Sequence, residues 1–217
     1  MKTETKQILY KPEIDGLRGI AVLAVLLFHA GVPFFSGGFV GVDIFFVISG
    51  YLITGIVIKA NSNSSFSFPS FMARRFFRLY PALIASVLLT LVAGYFVFSP
   101  AHFEALGNYS IFSLLSASNI LFYNVAGYFA ESSDVNPLLH TWSLGVEQQF
   151  YLVWPAIVIM CFRFIGARAG IALGVIVALF FVVSEFGVRT NPDAAYFLVH
   201  YRVFEFGIGA MLFSVRD

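Results

Sequence analysis

The chain has little charge, and this scarcity excludes a water-soluble fold. Charged residues make up 12% of its 217 residues, about half the ~25% usual in soluble domains, so a soluble globule would have almost nothing polar to cover its surface. Hydrophobic residues make up 59%, and the mean hydropathy is +0.85. Stretches of about 20 apolar residues recur, each long enough to cross a hydrocarbon layer ~30 Å thick. The lipid bilayer is therefore the solvent to consider.

Other absences exclude classes of site. Cys161 is the only cysteine, which excludes an internal disulfide and a cysteine-based metal site. Neither G-x-x-x-x-G-K nor G-x-S-x-G occurs, which disfavours a P-loop pump and an α/β-hydrolase. The net charge of +1 gives no overall field that would attract nucleic acid. We expect no bound cofactor, no metal and no nucleic-acid partner.

The apolar stretches predict an all-α, polytopic transmembrane bundle of about six spans. Glycines at Gly37, Gly38 and Gly41 fit a turn followed by close helix packing. A short basic, aromatic helix at residues 71–81 is expected at the interface, with Pro81 opening the third span. The six predicted spans are residues 16–33, 39–58, 81–98, 139–162, 170–188 and 197–213.

Residues 106–124 are apolar but diluted by serine and asparagine. Polar groups at membrane depth are tolerated where they pack against protein or line a wet cavity. We therefore expect a re-entrant or interfacial segment here, and not a seventh span.

The distribution of positive charge predicts the orientation. With the N-terminus in the cytoplasm, eleven of the thirteen Lys and Arg residues fall on the inner side, and only Arg189 and Arg202 fall outside. Cytoplasmic loops carry such an excess. The sequence thus predicts a cytoplasmic tail at residues 1–15 and a membrane domain over residues 16–217.

His29 is the leading candidate for a catalytic group, because a neutral imidazole in the membrane can take a proton from a hydroxyl. The alternative is a histidine that only joins two helices by a hydrogen bond. Ser36 is the midpoint of the predicted hairpin, which puts Asp43 at the depth of His29, where a carboxylate could orient the imidazole. Alternatively, Asp43 simply caps the second span. Arg18 precedes His29 by eleven residues, about 16 Å of helix, on nearly the same face.

Arginines form the second candidate group. Arg74, Arg75 and Arg78, together with Arg18, are expected to form a cytoplasmic cluster able to hold phosphates through forked hydrogen bonds. Basic interfacial helices also bind anionic lipid headgroups, and from this feature alone the lipid interpretation is favoured.

A third group lies on one helical stripe. His140, Ser143 and Glu147 follow the i, i+3, i+7 spacing of a single face, near the outer side, and a buried Glu147 needs a partner. Trp142 lies beside this stripe and has a structural explanation as an interfacial or packing aromatic. Glu205 lies three residues from Arg202, which predicts a structural ion pair within one helix.

Four blocks of the sequence resemble acyltransferase family three, the membrane O-acyltransferases that acylate bacterial surface polysaccharides, peptidoglycan and some small molecules. The blocks include the Arg18 to His29 spacing, the glycine-rich start of the second span, the arginine block before Pro81, and the His140 to Tyr151 signature. One departure is Gln148, where the family usually carries a second acidic residue. The blocks are residues 13–29, 38–54, 74–81 and 136–155.

The resemblance implies an acyl-CoA donor, most simply acetyl-CoA, on the cytoplasmic side of a bacterial inner membrane. It implies a cell-envelope carbohydrate hydroxyl as acceptor on the outer side. It also implies that His29 is the essential histidine, acting either as base or as acyl carrier, and that the arginines bind the CoA phosphates. Family members have about ten spans, so we expect this chain to be the N-terminal part of the membrane domain.

Two other functions remain open from the residues. One is a carrier or flippase for an anionic or lipid-linked solute, with the arginines and Glu147 along its path. The other is a membrane partner without catalytic activity. As candidate catalytic residues we take His29, Asp43 and Glu147. The CoA-binding candidates are Arg18, Arg74, Arg75 and Arg78, and the acceptor-side candidates are His140, Trp142 and Ser143.

Overall fold

The computed structural model describes residues 12–125 and 136–216, and every regular element in those ranges is helical. This confirms the predicted all-α bundle. Most of the expected tail at residues 1–15 lies outside the described residues. The short 3-10 helices Gly38–Val40 and Gly166–Arg168 lead into α2 and α7. The α-helices are α1 (Pro12–His29), α2 (Gly41–Ser62), α3 (Phe68–Val97), α4 (Pro100–Leu114), α5 (Ser118–Val125), α6 (Thr141–Ile165), α7 (Ala169–Thr190), α8 (Pro192–Phe197) and α9 (Val199–Arg216).

Four helices are long and apolar enough to cross a membrane: α3, α6, α7 and the segment Gly38–Ser62 that contains α2. They account for four of the six predicted spans. The other two correspond to α1 and α9, which are 18 residues long and each contain three charged residues. The total number of spans therefore stays a prediction.

Helix α3 continues through Pro81, so the expected boundary between an interfacial helix and a span at this residue was wrong. Proline removes one backbone donor, yet backbone groups at membrane depth have to be satisfied within the protein. Continuing the helix satisfies all the others. One lost hydrogen bond thus costs less than a break, which would leave several groups unpaired.

The polar segment at residues 106–124 is two helices, α4 and α5, joined at a residue with positive φ, Ser116 (φ 55°). Its polar side chains bond to protein. The hydroxyl of Ser113 lies 2.8 Å from that of Thr141, and Asn119 donates to the Phe197 carbonyl at 3.1 Å. This packing agrees with the expectation that polar groups at membrane depth pack against protein. The position of residues 106–124 relative to the membrane stays a prediction.

Helices α2 and α9 cross with their backbones in contact. A Cβ on Gly50 would overlap the carbonyl oxygen of Phe206, and a Cβ on Gly209 would overlap that of Val47. Phe206 then stacks on Phe46 of α2 and on Phe150 of α6, at ring-centroid distances of 4.6 and 4.0 Å. The crossing therefore joins α2, α6 and α9 into one core.

The α2–α9 crossing generates a stability prediction. Gly50→Ala is expected to lower the free energy of unfolding by about 1–3 kcal/mol, because a methyl group has to displace backbone. Gly107→Ala is the matched control: a Cβ there meets nothing within 4 Å, and alanine favours the helix by about 0.5–1 kcal/mol. Thermal denaturation in detergent measures both. Equal melting temperatures for the two variants would contradict the crossing.

Candidate functional site

A cavity of about 820 Å³ opens between α1, α2, α3 and α6. Its walls are mostly apolar side chains, with a few polar and charged groups that converge on the space. Eight of the ten candidate residues line it, although they come from three separate regions of sequence. These eight are Arg18, His29, Arg75, Arg78, His140, Trp142, Ser143 and Glu147.

The cavity has a histidine end and an arginine end. His29 and Arg18 are eleven residues apart on α1. His140, just before α6, and Tyr151 on α6 are also eleven residues apart. Eleven residues of helix are about 16 Å long. His29 and His140 interact electrostatically. The Arg75 guanidinium lies over the Tyr151 ring, 5.7 Å from its centroid. A ligand of about 16 Å could therefore contact both ends at once.

His140 precedes the first turn of α6 at the histidine end. Partial burial lowers the pKa of its imidazole; a backbone hydrogen bond involving Pro137 opposes this, and His29 lowers it further. The His140 carbonyl accepts a hydrogen bond from the Ser143 hydroxyl at 3.1 Å. A neutral imidazole at this end suits proton acceptance from a hydroxyl group.

His29 has one ring nitrogen occupied by its own helix. Nδ1 lies 2.8 Å from the carbonyl oxygen of Val25. A carbonyl only accepts, so Nδ1 donates this hydrogen bond, and in a neutral imidazole Nε2 carries the lone pair. The backbone thus sets the tautomer, which is the role the sequence assigned to Asp43.

Asp43 does not pair with His29 in this structure, which corrects the expected depth match. Gly38 packs on the backbone of Ala24 and Gly41 on that of Ala21, so this register puts Asp43 level with Gly19. Ten residues of helix, about 15 Å, separate that level from His29. The hairpin argument failed because it took Ser36 as the centre of a symmetric turn.

Asp43 instead bonds to Arg202 of α9. The Arg202 Nη1 lies 3.2 Å from Asp43 Oδ1 and 2.7 Å from Glu205 Oε1, which confirms the predicted Arg202–Glu205 pair. The guanidinium also lies over the Trp142 ring, 5.8 Å from its centroid. Trp142 itself is 3% exposed. This cluster ties the start of α2 to α9 behind the cavity wall.

Glu147 has two partners that the sequence reasoning missed. Ser49 and Tyr151 both donate to its Oε1. Tyr151 follows Glu147 by four residues, so extending the His140 stripe by one turn would have found it. Ser49 lies on another helix, 98 residues away in sequence, and no local pattern indicates it.

The four arginines differ in their surroundings. Arg75 is held over the rings of Phe71 and Tyr151, and Arg78 also lines the cavity. Arg18 also lines the cavity, and its Nη1 lies 3.6 Å from Asp15 Oδ1. Arg74 is exposed and does not line the cavity. Within the described residues, no group of three His, Cys, Asp or Glu side chains is placed to hold a metal ion.

Comparison with known proteins gives consistent matches. A family model described as an acyltransferase domain matches residues 11–217. The chain is 36% identical to the peptidoglycan O-acetyltransferase OatA of Listeria monocytogenes, over 94% of this chain and 33% of that protein. It is 34% identical to the putative peptidoglycan O-acetyltransferase YrhL of Bacillus subtilis, over 98% of this chain and 34% of that protein.

The putative O-acetyltransferase SAS0844 of Staphylococcus aureus is 32% identical, over 97% of this chain and 35% of that protein. The chain therefore spans about a third of the length of these relatives. No solved structure matches it.

The Arg202 cluster generates a stability prediction. Arg202→Met is expected to lower the free energy of unfolding by about 3–5 kcal/mol, because it leaves the Asp43 and Glu205 carboxylates without their shared cation. Arg189→Met removes an exposed ion pair to Glu185, 2.6 Å long, and is expected to cost at most about 0.5 kcal/mol. Thermal denaturation in detergent compares them. A similar melting temperature in both variants would show that the cluster adds nothing.

Proposed function

The chain belongs to the acyltransferase domain family, and from that premise we propose that it transfers an acetyl group from cytoplasmic acetyl-CoA to a carbohydrate hydroxyl of the cell envelope. In this proposal the chain is a multi-pass protein of the bacterial inner membrane, and the acetyl group crosses that membrane. The observation that carries the proposal is the cavity, which has arginines at one end and two histidines at the other. The proposed acceptor class follows the relatives whose names specify peptidoglycan.

Donor binding is assigned to the arginine end. Arg18, Arg75 and Arg78 line the cavity, and guanidinium groups match phosphate oxygens in charge and geometry. Arg75 is already held over two aromatic rings, so little side-chain freedom is lost when an anion binds. Arg74 is left out of this set because it lies off the cavity.

Acyl transfer is assigned to the histidine end. An extended pantetheine arm can span the ~16 Å between Arg18 and His29, which brings the thioester to the imidazole. Nε2 of His29 can take the proton of the acceptor hydroxyl as that oxygen attacks the thioester carbonyl; the C–S bond then breaks and CoA leaves as the thiolate, which can take up that proton from the imidazolium. Alternatively, Nε2 attacks first, CoA leaves, and the imidazole carries the acyl group to the acceptor hydroxyl. Acceptor contact is assigned to His140, Ser143 and Trp142, which line the same cavity.

Removing two cavity arginines is expected to weaken acetyl-CoA binding. Each charge-assisted contact contributes about 1.5–3 kcal/mol, so Arg75→Ala with Arg78→Ala should raise the Kd at least about tenfold. Arg74→Ala is the matched control, because Arg74 is one residue from Arg75 on α3 but does not line the cavity. Isothermal calorimetry in detergent measures binding. An Arg74→Ala loss as large as that of the double variant would point to general attraction by a basic surface.

Removing His29 is expected to abolish acetyl transfer. His29→Ala should reduce cleavage of radiolabelled acetyl-CoA at least about 100-fold, which is the usual contribution of a general base, while leaving donor binding intact. His102→Ala is the matched control. His102 lies in α4, bonds to Ser99 and does not line the cavity. Solute movement in vesicles without thioester cleavage by the unsubstituted chain would indicate a carrier and contradict the proposal.

A further inference from the structure

Ser49, Glu147 and Tyr151 form a hydroxyl–carboxylate cluster on the cavity wall. Both hydroxyl groups donate to the same oxygen of Glu147, Oε1, and the two hydroxyl oxygens lie 3.4 Å apart. No side chain in the described part of the protein is hydrogen bonded to the other oxygen, Oε2. The carboxylate thus has one occupied oxygen and one oxygen open to a ligand.

Burial makes this arrangement rigid. Ser49 is 5% exposed and Tyr151 is 4% exposed, so each hydroxyl has little water to bond to in place of Glu147. A buried hydroxyl that loses its partner is costly. The two donors therefore hold the plane of the carboxylate in one orientation from two different helices, α2 and α6.

The cluster lies along the path between the two ends of the cavity. The Arg75 guanidinium lies over the ring of Tyr151. Tyr151 is one helical turn from Glu147, about 6 Å along the axis of α6. His140 is seven residues before Glu147, about 10 Å farther along. A ligand that extends from the arginines to the histidines therefore passes Glu147 before it reaches the histidines.

We propose that Ser49 and Tyr151 are positioning residues that hold Glu147 ready to accept a hydrogen bond from a pantetheine amide N–H of the donor. The inference rests on the proposed function, because it takes acyl-CoA as the ligand. The pantetheine arm carries secondary amides between its phosphate and its sulfur, so an amide N–H lies in the stretch that would pass Glu147. A charge-assisted bond is strong in such a low-dielectric cavity.

The test uses CoA and two analogues in which one or the other pantetheine amide is replaced by an ester, which cannot donate a hydrogen bond. Calorimetry in detergent is expected to show that the unsubstituted chain binds one analogue about tenfold more weakly than CoA. Tyr151→Phe should bind CoA itself about tenfold more weakly and discriminate less than about threefold between CoA and that analogue. Ser49→Ala should also weaken CoA binding and reduce the discrimination between CoA and that analogue. Ser49→Thr, which keeps a hydroxyl, should restore both the affinity and the discrimination.

Thr54→Val is the matched control. It removes another hydrogen bond between α2 and α6, from Trp154 Nε1 to Thr54 Oγ1 at 2.8 Å, and neither residue lines the cavity. Discrimination between CoA and the ester analogue should be unchanged in this variant. If it falls as it does in Tyr151→Phe, the effect is general loosening of the helix pair and the inference is overturned.

Two further outcomes separate the inference from the function beneath it. If the unsubstituted chain binds CoA and both esters equally, Glu147 does not accept from a pantetheine amide, and the proposed transferase function stands. If the unsubstituted chain binds no CoA and cleaves no acetyl-CoA, the proposed function fails and the inference fails with it.

Discussion

The close crossing of α2 and α9 is the constraint on which the rest of the structure depends. Because Gly50 and Gly209 have no side chain, the two backbones touch, and contact at this distance leaves α2 little freedom to rotate. Ser49, the neighbour of Gly50, then reaches Glu147, while Asp43 on the same helix reaches Arg202. Small residues serve this purpose in membranes, where helix association depends on close packing.

Two polar clusters inside the described part of this apolar bundle hold carboxylates. Arg202 is shared between two carboxylates behind the cavity wall, and Glu147 is held by two hydroxyls on the wall itself. Both arrangements satisfy charges that would be very costly alone in hydrocarbon. They differ in access, since only the Glu147 cluster faces the cavity. The first therefore stabilises the fold, and the second is available for chemistry.

Local patterns predicted much of the cavity lining, and two of them failed, each for a different reason. The His140–Ser143–Glu147 stripe and the Arg18–His29 spacing depend only on helix geometry, and all five residues line the cavity. The Arg202–Glu205 pair is local too, and it formed. Asp43 was misplaced because its depth depends on how α1 and α2 are shifted past each other, and Pro81 was misread because hydrogen-bond satisfaction in the bilayer outweighs local helix propensity.

Composition and periodicity alone determined that this protein is an all-helical membrane bundle, because each apolar stretch has to satisfy its own backbone in lipid. They also identified side chains on α1, α3 and α6 that line the cavity. Only the tertiary structure decided which of them meet. Ser49 reached Glu147 and Arg202 reached Asp43 across 98 and 159 residues of sequence. Such contacts depend on helix crossing and rotation, which the packing of glycines and aromatic rings between helices determines.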